Sequence, residues 1–143
     1  MEKGLERFLT AQQNSYKTAL QEIKRGQKRS HWMWYIFPQI AGLGYSETAQ
    51  YYAIRDIEEA KEYLKNDILR HRILEISQVL LKTESDDAAY VMGWPDDRKL
   101  QSSMTLFLQT EPECEVFQNV LDKFFQGEMD QHTLKILEEQ RQK

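Results

Sequence analysis

The chain is short of cysteine, proline and glycine, with one, three and six among 143 residues. With Cys114 as the sole cysteine, no disulfide can close within the chain and no thiolate cluster can hold zinc. Basic excess is missing too: the net charge is −4, which argues against general nucleic-acid binding. No apolar run approaches the roughly 20 residues that span a bilayer, so no membrane partner is expected. No signal-like apolar stretch is present, and the expected location is the reducing cytoplasm. The sequence contains no Walker loop, nucleophile elbow or HExxH pair. His71 and His132 lack metal-ligand spacing, so neither a metal nor a cofactor is expected. No repeat, low-complexity tract or linker divides the chain, and residues 1–143 read as one domain of ordinary size. Hydrophobic residues make up 41%, enough for a globular core.

What is present is helical periodicity. Leu5, Phe8 and Leu9 begin an amphipathic segment, and Tyr16, Ala19, Leu20 and Ile23 share one helical face. Asn14 or Ser15 is a candidate cap for that second stretch, with Gly26 as its stop. Ser46 can cap a helix over Thr48 to Ile54, and Asp56 opens the next as a capping-box variant. Leu69, Ile73, Ile76 and Leu80 mark a longer helix after Asn66. A short helical turn is expected over Ala88 to Met92. Pro95 is placed as the first residue of a helix reaching about Thr110. Phe117, Val120, Leu121 and Phe124 form a further apolar stripe closed by Gly127, and Asp130 caps a last helix. The expectation is an all-α, compact, multi-helix domain, with at most one short extended segment near residues 31–37.

Two segments carry chemistry. The first runs Lys28-Arg29-Ser30-His31-Trp32-Met33-Trp34-Tyr35-Ile36-Phe37-Pro38-Gln39. Large flat rings beside an imidazole, cations and an amide suit the wall of a site for a flat or charged ligand. The same residues also suit an aromatic core strip whose polar ends reach hydrogen-bond partners. Lys24, Arg25, Lys28 and Arg29 read either as a solvated helix end or as a dock for phosphate or carboxylate. The second segment starts at Gly93-Trp94-Pro95-Asp96-Asp97. At about 100° per residue, Asp96, Lys99 and Ser103 fall on a strip bordering the apolar face of Leu100, Met104 and Phe107. Arg98, Gln101, Ser102 and Thr105 lie further round, toward solvent or a partner. Asp96 and Lys99 can form an ordinary i,i+3 pair, or do acid–base work if burial moves their pKa values.

Together with Gly42-Leu43-Gly44, Tyr52-Ala53-Ile54, Glu59-Ala60, Tyr63-Leu64, Pro95-Asp96-Asp97, Lys99-Leu100, Ser102 to Phe107, Gly127, Asp130, Thr133 and Leu134, the aromatic segment resembles DUF 1810. This is a bacterial family of small domains of unknown function. The resemblance covers nearly the whole chain and implies a single, mostly helical domain, but supplies no activity. Trp94 departs from the family pattern, standing where a small residue often precedes Pro-Asp-Asp. Some members carry a calpastatin label. That inhibitor is a disordered repeat protein, whereas this chain has no repeats and several strong apolar faces.

The residues support a domain that binds a small polar or nucleotide-like ligand, with enzymatic activity left open. His31, Asp96 and Lys99 are the catalytic candidates. Arg29, Trp32, Trp34, Gln39 and Ser103 are the ligand-binding candidates. The rival is a protein-interaction module that uses residues 31–37 as an exposed aromatic strip, since Trp, Tyr and Arg dominate interface hot spots. A third reading buries both segments as structure alone. The two segments are expected to meet in space, because burying their polar groups unpaired would cost about 1–3 kcal/mol each.

Overall fold

The computed structural model describes residues 4–143 and contains, among them, nine helices and no strand. In chain order these are α1 (Glu6–Lys24), α2 (Met33–Ile36), α3 (Glu47–Tyr52), α4 (Ile57–Lys65) and α5 (Asp67–Lys82). They continue with α6 (Ala88–Met92), α7 (Asp96–Thr110), α8 (Glu115–Phe125) and α9 (Gln131–Arg141). No helix among the described residues is long and apolar enough to cross a membrane.

Three capping residues perform as the sequence predicts: Ser46, Asp56 and Asp130 each accept a backbone N–H in the first turn of the helix they precede, and Asn66 does the same for α5. Asn14 and Ser15 are the exception: α1 runs unbroken through them from Glu6. Pro95 sits one residue before α7 rather than as its first residue.

α7 is packed on four sides, by α4, α6, α8 and α9, and α5 lies against α1, α4 and α8. A line of rings threads these layers. Phe8 meets Tyr63 edge-on at 5.2 Å, Tyr63 meets Phe107 at 5.2 Å, and Phe107 meets Phe117 at 5.6 Å. The Tyr63 hydroxyl is satisfied by Gln12 Nε2 at 3.0 Å.

The aromatic segment is helical, not extended. Trp32, Met33, Ile36 and Phe37 are buried while Trp34 and Tyr35 are half-buried. That spacing is the face of one helical turn, masked in sequence because the outward positions are also aromatic. The burial also corrects the idea of an exposed strip over residues 31–37: its largest apolar side chains belong to the core. Just beyond it, Ile40 pairs in parallel with Ile54 as an isolated bridge. Ala41 N donates to Ile54 O and Ile54 N donates to Gln39 O, both at 2.8 Å. This pins the 39–41 backbone beside the exit of α3.

Candidate functional site: a cleft between the aromatic segment and α7

Positioning begins with a carboxylate that sequence reasoning passed over. Glu22, near the end of α1, is 7% exposed. Its Oε1 accepts from the backbone amides of Arg29 and Ser30 at 2.8 and 2.9 Å and from Trp32 Nε1 at 2.9 Å. Its Oε2 accepts from Ser30 Oγ at 2.5 Å. Burial pushes its pKa up, but these donors together outweigh burial and hold it down at about 2. The turn after Gly26 is therefore folded around one buried anion.

From that turn Lys28 reaches inward. Its backbone N–H donates to Val91 O at 2.7 Å. Its Nζ donates to Ser30 O, stands 4.9 Å from the Trp32 ring centre and pairs with Asp96 Oδ2 at 2.8 Å. Asp96 Oδ1 lies 3.6 Å from Lys99 Nζ, which in turn stands 5.3 Å from the Trp34 ring centre. The two polar segments thus meet, through Lys28, Asp96, Lys99 and Trp34. The cation that meets Asp96 from the first segment is Lys28, rather than Arg29 or His31.

Beside this junction lies a cleft of about 470 Å³. Trp34, Gln39 and Tyr45 line one side, Arg98 and Lys99 another, and Asp130 and His132 the end at the start of α9. Gly44 also lines it, and a Cβ there would stand 2.6 Å from the Ala49 Cβ. Only glycine lets the 42–45 turn approach α3 so closely. α9 is fixed to α7 by hydroxyls: Ser102 Oγ donates to Asp130 Oδ2 at 3.0 Å, and Asp130 N donates to Thr105 Oγ1 at 2.9 Å. Asp130 Oδ2 also takes the Thr133 amide at 3.1 Å. Much of its charge is committed to that cap, so Arg98 and Lys99 face the cleft with only partial compensation. An aromatic face, an ammonium, a guanidinium and an amide can together hold a planar anionic group.

A family model described as "Protein of unknown function (DUF1810)" matches residues 2–137. The chain belongs to the DUF1810 family. Among solved structures it is similar to the crystal structure of the conserved hypothetical protein Rv1873 from Mycobacterium tuberculosis. The two are 39% identical with a TM-score of 0.92, over 94% of this chain and 96% of that one. No curated protein matches the chain.

In this DUF1810 domain, Trp34, Gln39 and Lys99 line the cleft, and Asp96 stands behind Lys99 as its partner. Arg29 and His31 are exposed and do not line it. Trp32 and Ser103 depart from the ligand-binding expectation. Trp32 is 1% exposed and serves Glu22, because its indole N–H donates to that buried carboxylate at 2.9 Å. Ser103 is fully buried with an unpartnered hydroxyl, because α7 is enclosed further round its circumference than the amphipathic pattern implies. Ser103→Ala is expected to leave ligand binding intact and to raise stability by up to about 1 kcal/mol, since a buried hydroxyl without a partner is removed. Thermal unfolding beside a binding titration checks it; a clear loss of affinity would return Ser103 to the site.

Sequence reasoning missed Glu22, Tyr45, Arg98 and His132. A buried acid one turn from a helix end is invisible in an exposed-looking Gln-Glu-Ile-Lys run. Tyr45 and His132 come from loops and termini that only the tertiary fold brings together. Among the described residues, no three His, Cys, Asp or Glu side chains are grouped to hold a metal ion.

Proposed function

We propose that this chain binds a small, planar, anionic ligand of nucleotide-like character in the Trp34–Lys99 cleft. The observation that carries the reading is the junction itself. The two segments richest in chemistry converge on one cleft, and its volume falls within the range of small-molecule sites, about 300–1,000 Å³. Trp34 supplies a stacking face for a base or similar ring. Lys99 and Arg98 supply charge for a phosphate or carboxylate, and Gln39 supplies an orienting amide. Asp96, set between Lys28 and Lys99, holds Lys99 over the indole rather than facing the ligand. The reading is one of binding, with Lys99 as the residue to test for any turnover.

The interaction-module reading keeps only His31, Trp34 and Tyr35 at the surface of residues 31–37, because Trp32, Met33, Ile36 and Phe37 are buried.

The test is calorimetric titration of the full chain with AMP and ADP-ribose, with adenosine as the uncharged control. Native mass spectrometry of freshly purified protein should look for a retained metabolite. Saturable binding of the phosphorylated compounds is expected, with adenosine weaker. Lys99→Met should weaken binding by about tenfold or more, the worth of a charge-assisted hydrogen bond. Absence of binding at millimolar nucleotide, or equal affinity in the Lys99→Met protein, would refute the proposal.

A further inference from the structure

The face of α3 opposite the cleft borders a second groove, of about 710 Å³. Its walls are four rings, Trp34, Tyr35, Tyr51 and Tyr52, and its charged lining residue is the carboxylate Glu47. All four rings are half-buried, so each keeps surface toward solvent. They are set at angles to one another: Tyr35 and Tyr52 at 54° with centres 5.2 Å apart, Tyr51 and Tyr52 at 77° and 4.8 Å.

Their mounting is rigid. Tyr35 donates its hydroxyl to Ser15 Oγ at 3.0 Å. Tyr51 O and Ala53 O, on either side of Tyr52, accept from the buried Arg7 guanidinium at 2.7 Å each.

We infer that this groove is a second binding site, for a small alkylated ammonium compound. Aromatic rings tilted to one another beside a carboxylate, with no cation among the described lining residues, suit positive charge spread over a greasy surface. Trp34 already accepts an ammonium, Lys99 at 5.3 Å, but Lys99 lines the cleft and not this groove. The two sites share the Trp34 wall and have opposite charge preference. The groove's site does not depend on the nucleotide-like reading of the cleft.

The experiment is a titration of isotope-labelled full chain, followed by amide and indole NMR shifts. The probes are choline and its neutral tert-butyl analogue, in which carbon replaces the quaternary nitrogen. Choline should give saturable shifts at Trp34, Glu47 and Tyr51 in the millimolar range, and the neutral analogue should bind at least about fivefold more weakly. Tyr51→Leu should cost a similar factor while Tyr51→Phe retains binding. Should Tyr51→Leu fail to fold, Glu47→Gln on the exposed start of α3 gives the same reading through lost affinity. No saturable shift with choline, equal response to the neutral analogue, or shifts confined to residues outside the groove would each overturn the inference.

Discussion

Glu22→Ala should be among the most damaging single substitutions in this protein, lowering unfolding free energy by roughly 3 kcal/mol or more. Four donors converge on that carboxylate, and its removal leaves two backbone amides and an indole N–H without acceptors in a closed turn. The same contacts make stability depend on acid. The folded-state pKa of Glu22 is depressed from its ordinary 4.5 to about 2. Its contribution is therefore fully present above about pH 4.5 and is lost as pH falls toward 2. The gap corresponds to roughly 3 kcal/mol. Urea unfolding at pH 7, 4 and 2.5 should show a smaller acid-dependent loss in Glu22→Gln than in the unchanged chain. Identical pH slopes in the two proteins would mean that Glu22 is not the controlling group. Because the turn it holds also carries Lys28, the Lys28–Asp96 pair should loosen with it, and ligand affinity should fall in parallel.

Arg7→Ala is expected to cost about 3–5 kcal/mol, the usual penalty for breaking a buried ion pair from one side. The Arg7 guanidinium pairs with Glu59 Oε1 at 3.0 Å, the two side chains being 8% and 5% exposed. It also donates to Gly4 O, Tyr51 O and Ala53 O. Without it, Glu59 keeps the Arg55 amide at 2.8 Å and a more distant Arg55 side chain at 3.8 Å. That is weak compensation for a carboxylate that is 4% exposed. The double change Arg7→Met with Glu59→Leu should recover the part of the loss that comes from the unpaired carboxylate, though not the part from the Tyr51 and Ala53 carbonyls that Arg7 also serves. Chemical denaturation of the three proteins decides it. A single-substitution cost below about 1 kcal/mol would show that α1 and the α3–α4 connection are held by packing instead.

The larger helices were legible because each announces itself several times over. α5 has Asn66 as its cap and buried residues at 69, 73, 76 and 80; α8 has an apolar stripe and a glycine behind it. Agreement between cap, period and stop is what local energetics requires of a helix that also packs. The aromatic segment was not legible in this way. Six successive large apolar residues carry no period, so burial alone reveals which four face inward.

The sequence by itself determined the fold class and most of the helix ends, because these depend on neighbours within a few positions. Only the tertiary structure decided which polar side chains share a site. Lys28 and Asp96 lie 68 positions apart and Trp34 and Lys99 lie 65 apart, and no periodicity reports a contact across that distance. It also decided that Trp32 and Ser103 belong to the interior and that Ser102 and Thr105 hold α9. A helical wheel assumes one buried face, whereas α7 packs against four neighbours, so Ser102, Ser103 and Thr105 are removed from water along with its apolar face.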